Sequence, residues 1–418
     1  MNTIPTSLYI HMPWCIRKCP YCDFNSYAAS KIDENKYIEI LIYDFQTDLQ
    51  KFPREELTSI FIGGGTPSLF SANAIAKLLH KINQLINFKP DLEISMEINP
   101  STCNQKKLFD LRAAGINRLS IGVQSFQNEK LKSLGRIHNK NDAISIIKMA
   151  HLTKFDNINL DLIFGLPNQT CHDALFDLQT AIALQPTHLS WYQLTIEKNT
   201  AFGKNPPTLP NEETILNMQQ QGTALLTDAD FNQYEISNFC KSNYECQHNL
   251  NYWQFGDYLA IGAGAHGKIT TANKIIRYVK PIHPEDYIPK QKTSWTPRSS
   301  RGVTNIVIPR PVIPRPVIPR PVIPRPSLLT AGSSSKIAGS SKKINKESLP
   351  LEFMLNALRL VDGVPIELFE QCTGLKLSSI KPQLKTAIDQ EFIEDNNDRI
   401  KPTKKGQQFL NQCLEIFV

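Results

Sequence analysis

Six short runs of β-branched and apolar residues punctuate the first half of the chain, and this rhythm limits the fold more than any other feature. The runs are Leu8–Met12, Ser59–Ile62, Leu92–Ile98, Arg118–Val123, Ile158–Phe164 and His188–Ile196. Between them lie segments with helical spacing, as in Tyr37, Ile40, Leu41, Asp44 and Phe45, and again in Ile75, Leu78, Leu79 and Ile82. Strands alternating with helices predict repeated βαβ units and therefore a parallel sheet. Several runs pass straight into Gly, Pro or polar residues: GGGTP at 63–67, INP at 98–100, GVQSF at 122–126 and FGLP at 164–167. In parallel α/β folds the carboxyl ends of the strands build the ligand site, so the candidate chemistry falls on one rim.

The rhythm changes beyond residue 200. Asn211–Ala229 reads as a helix, followed by an aromatic, polar stretch at 234–253 and a small-residue turn, IGAGAHG, at 261–267. Val307–Pro326 is VIPRP repeated four times, and a Ser/Gly/Lys-rich tract follows at 332–343. Proline at that density sustains neither a helix nor a central strand, so 298–346 is expected to be an extended or disordered insert. The last block, 347–418, carries a helical face of Leu351, Met354, Leu355 and Leu358, stopped by Asp362-Gly363 and Pro365. A short helix to Gly374, a third carrying Ile380, Leu384 and Ile388, the DNND turn at 395–398 and a last helix around Phe409 predict a winged-helix-like module. The expected organisation is a barrel over 1–240, its extension over 241–297, the insert and the small C-terminal domain.

The formal net charge of +7 resembles a nucleic-acid signature until it is located. Residues 298–346 carry ten Lys or Arg and no acid, and 347–418 carry eight basic and eleven acidic residues. The remainder, 1–297, is balanced, so no basic recognition face and no nucleic-acid partner are expected. No apolar run is long enough to span a membrane, and MNTIPTSLYIHM lacks the basic and apolar regions of a secretory signal. A cytoplasmic protein is expected.

Of nine cysteines, three fall within eight residues: Cys15, Cys19 and Cys22, directly after the first strand. Clustered thiols in a cytosolic chain indicate a metal or cluster site rather than a disulfide framework. Three thiolates on one loop suit three irons of a [4Fe–4S] cluster and leave the fourth iron for an external ligand. A structural zinc site would need a fourth ligand, for which His11 is the nearest histidine.

This C-x3-C-x2-C loop, with GGGTP after the second strand, resembles the radical S-adenosylmethionine (SAM) superfamily. The resemblance implies a partial (β/α)6 barrel in which the open iron chelates SAM. LYIHMPWCIRKCPYC, FIGGGTPS, EINP, LSIGVQSF, LGRIHN and LDLIFGLPNQT are similar, in order, to the coproporphyrinogen dehydrogenase-like branch, over residues 8–297 and 347–418. Carried over by motif, Tyr9, Tyr21, Gly64, Gly65, Thr66, Glu97, Gln124, Arg136 and Asp161 would contact SAM. A carboxylate such as Glu97 or Asp161 suits ribose hydroxyls or an amino group, and Arg136 suits the SAM carboxylate. The glycines would let the backbone approach the ligand.

Two features divide that branch. Where its dehydrogenases carry a further cysteine, this chain has Phe24. In addition, His248-Asn249-Leu250-Asn251-Tyr252-Trp253 resembles the H-N-x-x-Y-W motif of the HemW-type haem chaperones. Imidazole can ligate haem iron and aromatic rings can stack on a porphyrin, so His248, Asn249, Tyr252 and Trp253 are the expected haem residues. Cys240 and Cys246 are further candidate iron ligands. The chaperone role would deliver haem to respiratory, membrane-associated proteins, with peripheral contact at the inner face of the membrane and a homodimer among its assemblies. Two other readings remain open here. One is an oxygen-independent dehydrogenase that decarboxylates coproporphyrinogen III; the other is a radical SAM scaffold that has lost its activity.

Overall fold

The computed structural model describes residues 4–29, 31–272, 274–288 and 340–418. All six expected strands form: β1 (Thr6–Met12), β2 (Glu56–Gly64), β3 (Asn87–Ile98), β4 (Arg118–Gln124), β5 (Asn157–Phe164) and β6 (His188–Gln193). They lie side by side in sequence order, all parallel. The helices between them begin where side chains replace missing backbone partners. Helix α1 (Glu34–Lys51) is capped by Asp33, which accepts from Lys36 N–H, and α2 (Ala72–Asn83) by Ser71. Helices α3 (Lys140–Leu152) and α4 (Cys171–Ala183) open with full capping boxes, Asn139/Asp142 and Thr170/Asp173.

Side chains alternate across each strand. Leu8, Ile10 and Met12 of β1, Ile60 and Ile62 of β2, and Leu119 and Ile121 of β4 face the helices and form the main core. The opposite parity lines the inner face of an open barrel with polar groups: Ser7, Tyr9 and His11; Ser59; Glu93 and Glu97; Arg118 and Ser120; Asn159 and Asp161; His188, Ser190 and Tyr192. This polarity, rather than the sheet itself, marks the barrel as a site.

Helix α5 (Glu212–Asp228) lies where the sequence pattern predicts it, and the short strands β7 (Asn232–Glu235) and β8 (Asn238–Cys240) extend the β6 edge antiparallel. At the other edge the structure adds a strand that periodicity did not announce. Asp257–Ile261 (β9) pairs in parallel with β1, and all five of its residues are buried. IGAGAHG is therefore the end of a seventh parallel strand as well as a turn. Next come β10 (His266–Thr271), β11 (Lys274–Val279) and β12 (Ser340–Lys343), all antiparallel. Among the described residues the sheet has twelve strands in the order β12-β11-β10-β9-β1-β2-β3-β4-β5-β6-β8-β7, and its two edges do not pair with each other.

Strand β12 falls within the stretch expected to be the insert. Residues 340–343 pair with the open edge of β11, because an exposed edge offers backbone partners to a segment with no side-chain pattern of its own. The VIPRP repeats lie outside the described residues. In the C-terminal domain α6 (Leu349–Ala357) buries Leu349, Phe353, Met354 and Ala357, whereas Leu355 is 38% exposed. The buried face thus centres on Phe353 and Met354 rather than on Leu355. Helix α7 (Glu367–Thr373) ends at Gly374 in the left-handed conformation, and α8 (Lys381–Asp389) buries Leu384 and Ala387. A two-residue antiparallel pair, Val364–Pro365 with Arg399–Ile400, forms the wing. The last helix breaks at half-exposed Phe409 into Lys404–Gln408 and Leu410–Glu415.

Candidate functional site

The cysteine loop is closed at its base. Trp14–Cys15 pairs in parallel with Tyr27–Ala28, and Cys22 N–H donates to the Cys19 carbonyl at 3.1 Å. Cys15 is buried, and Cys19 and Cys22 are half-buried. Lys18 is turned into the loop, donating to the carbonyls of Phe24 and Ser26 at 2.9 and 3.2 Å. Among the described residues no three His, Cys, Asp or Glu side chains gather around one metal ion. A cubane asks for something different, one thiolate on each of three irons. Zinc loses its fourth ligand here. His11 spends both ring nitrogens, Nδ1 with the Tyr9 hydroxyl at 2.9 Å and Nε2 with the Asn25 carbonyl at 2.8 Å. Burial pushes the Cys15 thiol up and the Cys22 thiol up to about 11; iron would displace those protons.

The residues assigned to SAM converge beside this loop. Arg136 Nη1 points at Cys19 Sγ at 3.8 Å and Nη2 at the Gly122 carbonyl at 2.8 Å, while Nε is buried without a partner. A cleft between the loop and the strand ends is lined by Arg17, Cys19, Thr66, Asn99 and Arg136. Glu97 Oε2 accepts from Gly64 N–H at 3.0 Å. Burial, reinforced by nearby Asp161, pushes the Glu97 carboxyl up to about 8. Asp161 is raised by burial too, and accepts from Asn159 at 2.8 Å and from Ser120 at 3.1 Å. Two half-buried carboxyls and an arginine with a spare donor fit a ligand bearing an ammonium, hydroxyls and a carboxylate. Tyr9 and Tyr21 are half-buried, and Gln124 accepts from the Tyr192 hydroxyl at 3.0 Å with its backbone at φ +68°.

The fold itself also requires these glycines. Gly64 has φ +117°, and a Cβ there would lie 2.6 Å from the His11 ring; a Cβ on Gly65 would strike the Trp14 carbonyl. The atoms that exclude a side chain belong to the protein itself. Tyr192 went unnoticed in the sequence, although it shares strand parity with His188 and Ser190, and that parity was the available signal.

The segment with the H-N-x-x-Y-W pattern forms helix α9 (Gln247–Trp253), which precedes the C-terminal helices in the chain. It is held against the inner face of β1 and β2, and Glu93 accepts from the first backbone N–H groups, Gln247 at 3.1 Å and His248 at 3.3 Å. Below it, buried Lys268 ties the Phe255 and Gly256 carbonyls to Asp257. His248 is 3% exposed; Nδ1 pairs with Ser59 Oγ at 3.1 Å, and Nε2 has no partner. Burial, with Arg118 adding to it, lowers its pKa to about 3, so the imidazole is neutral. The structure separates the four motif residues. The His248 ring lies 5.0 Å from Tyr252, which stacks on Tyr258 at 4.1 Å. Trp253 points to the other side, into the C-terminal domain and against Arg359 at 4.4 Å. Asn249 is half-buried between these two faces. Cys246 donates its thiol to Glu93 Oε1 at 3.4 Å, and burial pushes the Cys240 and Cys246 thiols up to about 12.

An open parallel barrel with three cysteines on the loop after its first strand, and a polar ligand cleft beside them, defines a radical SAM protein. The Radical SAM superfamily matches residues 9–179, and the HemN C-terminal domain matches residues 344–409. The structure of Escherichia coli coproporphyrinogen III oxidase (HemN) shares the fold with a TM-score of 0.75 at 20% identity, covering 99% of this chain and 90% of that one. Haemophilus influenzae "Heme chaperone HemW" is 44% identical over 420 residues, 99% of this chain and 98% of its own. E. coli "Heme chaperone HemW" is 41% identical over 416 residues, with the same coverage. The chain belongs to the HemW haem chaperone family.

Proposed function

We propose that this chain carries haem, bound through His248, and passes it to haem-requiring proteins, with a [4Fe–4S] cluster on Cys15, Cys19 and Cys22 and SAM in the adjoining cleft. The observation that carries the reading is the state of His248: a neutral imidazole, fixed through Nδ1 by Ser59, with a buried Nε2 left over for a metal. A cluster with one iron free of protein ligands supplies low-potential electrons and a chelation point for SAM. The chain's own part is to hold it. Glu97 and Asp161 accept from the ammonium and ribose hydroxyls, Arg136 pairs with the carboxylate, and Tyr9, Tyr21, Gly64, Gly65, Thr66 and Gln124 shape the cleft around them. Tyr252 packs beside the ligating ring, and Trp253 with Asn249 sets the other side of the motif helix. The recipients are proposed to be respiratory and membrane-associated, met at the cytoplasmic face by peripheral contact, with the carrier acting as a homodimer. No helix among the described residues is long and apolar enough to cross a membrane.

The test is an anaerobic haem titration of cluster-loaded protein, followed through the Soret band. Wild type should take up haem, and His248→Ala should lose the His-ligated spectrum while keeping its cluster iron. An unchanged spectrum in the variant removes His248 as ligand. Incubation with coproporphyrinogen III, SAM and a low-potential reductant should give no vinyl porphyrin; repeated turnover would overturn the carrier reading.

A further inference from the structure

Buried polar atoms without partners cost about 1–3 kcal/mol each, so a cluster of them asks for an explanation. Thirteen such side-chain atoms occur among the described residues, and seven of them belong to Arg118, Glu235, Asn238, His248, Trp253 and Arg359. His248 and Trp253 belong to the motif helix α9, Arg118 reaches it through Glu93, and Arg359, Glu235 and Asn238 follow one another outward from Trp253. Arg359 is the extreme case. It follows α6, its side chain is 10% exposed, and Nε and Nη2 both lack hydrogen-bond acceptors. Its guanidinium lies 4.4 Å from the Trp253 ring. Glu235 Oε2 is the nearest carboxylate, at 3.7 Å, within Coulomb range but too far for a hydrogen bond. Glu235 Oε2 is itself without a donor, and Trp253 Nε1 without an acceptor.

A buried guanidinium beside an indole, both with unspent donors, has the chemistry of a carboxylate receptor on an aromatic platform. We propose that Arg359 and Trp253 form a carboxylate-binding site, and that the carboxylate they take is a propionate of haem. The proposal rests on the haem-carrier reading and extends it, because it brings a C-terminal-domain residue into the haem site. His248 and Trp253 lie on the same helix, about 7.5 Å apart along its axis, with their side chains on different sides of it. Both groups are buried, so one haem meets both only after the C-terminal domain parts from the barrel and this helix turns toward the opening. Arg359 is held in waiting by Glu235, the carboxylate that haem would displace.

The experiment is a cycle on both ligand and protein, with iron protoporphyrin IX and its dimethyl ester titrated into full-length, cluster-loaded chain. Wild type should bind haem about ten- to a hundred-fold more tightly than the diester, the difference a charge-assisted carboxylate pair confers. Arg359→Gln should lose that preference while its diester affinity holds. Glu235→Gln, which preserves side-chain shape, frees Arg359 and should tighten haem but not the diester. Equal weakening of both ligands in Arg359→Gln would show an interdomain ion pair with no ligand role and overturn the proposal. So would wild type that binds haem and diester equally, while leaving the carrier reading intact. Wild type that binds neither ligand would refute the carrier reading itself and this proposal with it.

Discussion

Mild acid should destabilise this protein partly through His248, and the size of the effect follows from its burial. The ring is 3% exposed and its pKa is lowered to about 3 in the folded chain, against about 6.5 when unfolded. A depressed histidine contributes its stability in full above the unfolded value, and loses it as pH falls through 6.5 toward 3, because the unfolded chain takes a proton that the folded one refuses. From pH 8 to pH 5 this amounts to about 2 kcal/mol for one such group. His11, His138 and His266 shift in the same direction, so the whole protein should lose more than this. His248→Gln isolates the single contribution, since an amide can keep the Ser59 contact and does not titrate. Urea unfolding of metal-free, reduced protein at both pH values should show a pH dependence smaller by about 2 kcal/mol in the variant. Identical pH dependence in the two proteins would mean that the ring is hydrated or charged in the native state. The argument for a buried neutral iron ligand would then fail.

Other substitutions test the loop and the motif helix separately. Gly65→Ala drives a methyl into the Trp14 carbonyl and should cost about 1–3 kcal/mol and reduce cluster loading, read as a lower Tm and fewer irons per chain after reconstitution. Cys19→Ser should abolish cluster iron with no change in far-UV circular dichroism, because Cys19 is half-buried on a loop that a short strand pair already closes. Glu93→Gln removes the anion that meets both the N-terminus of α9 and buried Arg118, 3.9 Å away; it should cost about 3 kcal/mol and speed amide exchange in Gln247–Trp253.

Much of this protein is decided within short stretches of chain. Strand runs such as Leu8–Met12 and Ile158–Phe164 carry their parity with them, helices announce themselves by cap residues such as Asn139 and Thr170, and three cysteines on one loop need no distant partner to be recognised. Local periodicity encodes which side of an element is buried, and that is enough for a six-unit parallel sheet with its chemistry on one rim. Other features depend on residues far apart in sequence. Strand β9 becomes parallel only because β1, some 250 residues earlier, offers its free edge. The H-N-x-x-Y-W motif reads as one haem pocket, yet five residues of helix turn His248 toward Ser59 and Trp253 toward Arg359. Nothing near Arg359 in sequence links it to haem. Its place beside Trp253 comes from docking of the C-terminal domain, a contact between chain segments about a hundred residues apart that no local pattern can specify.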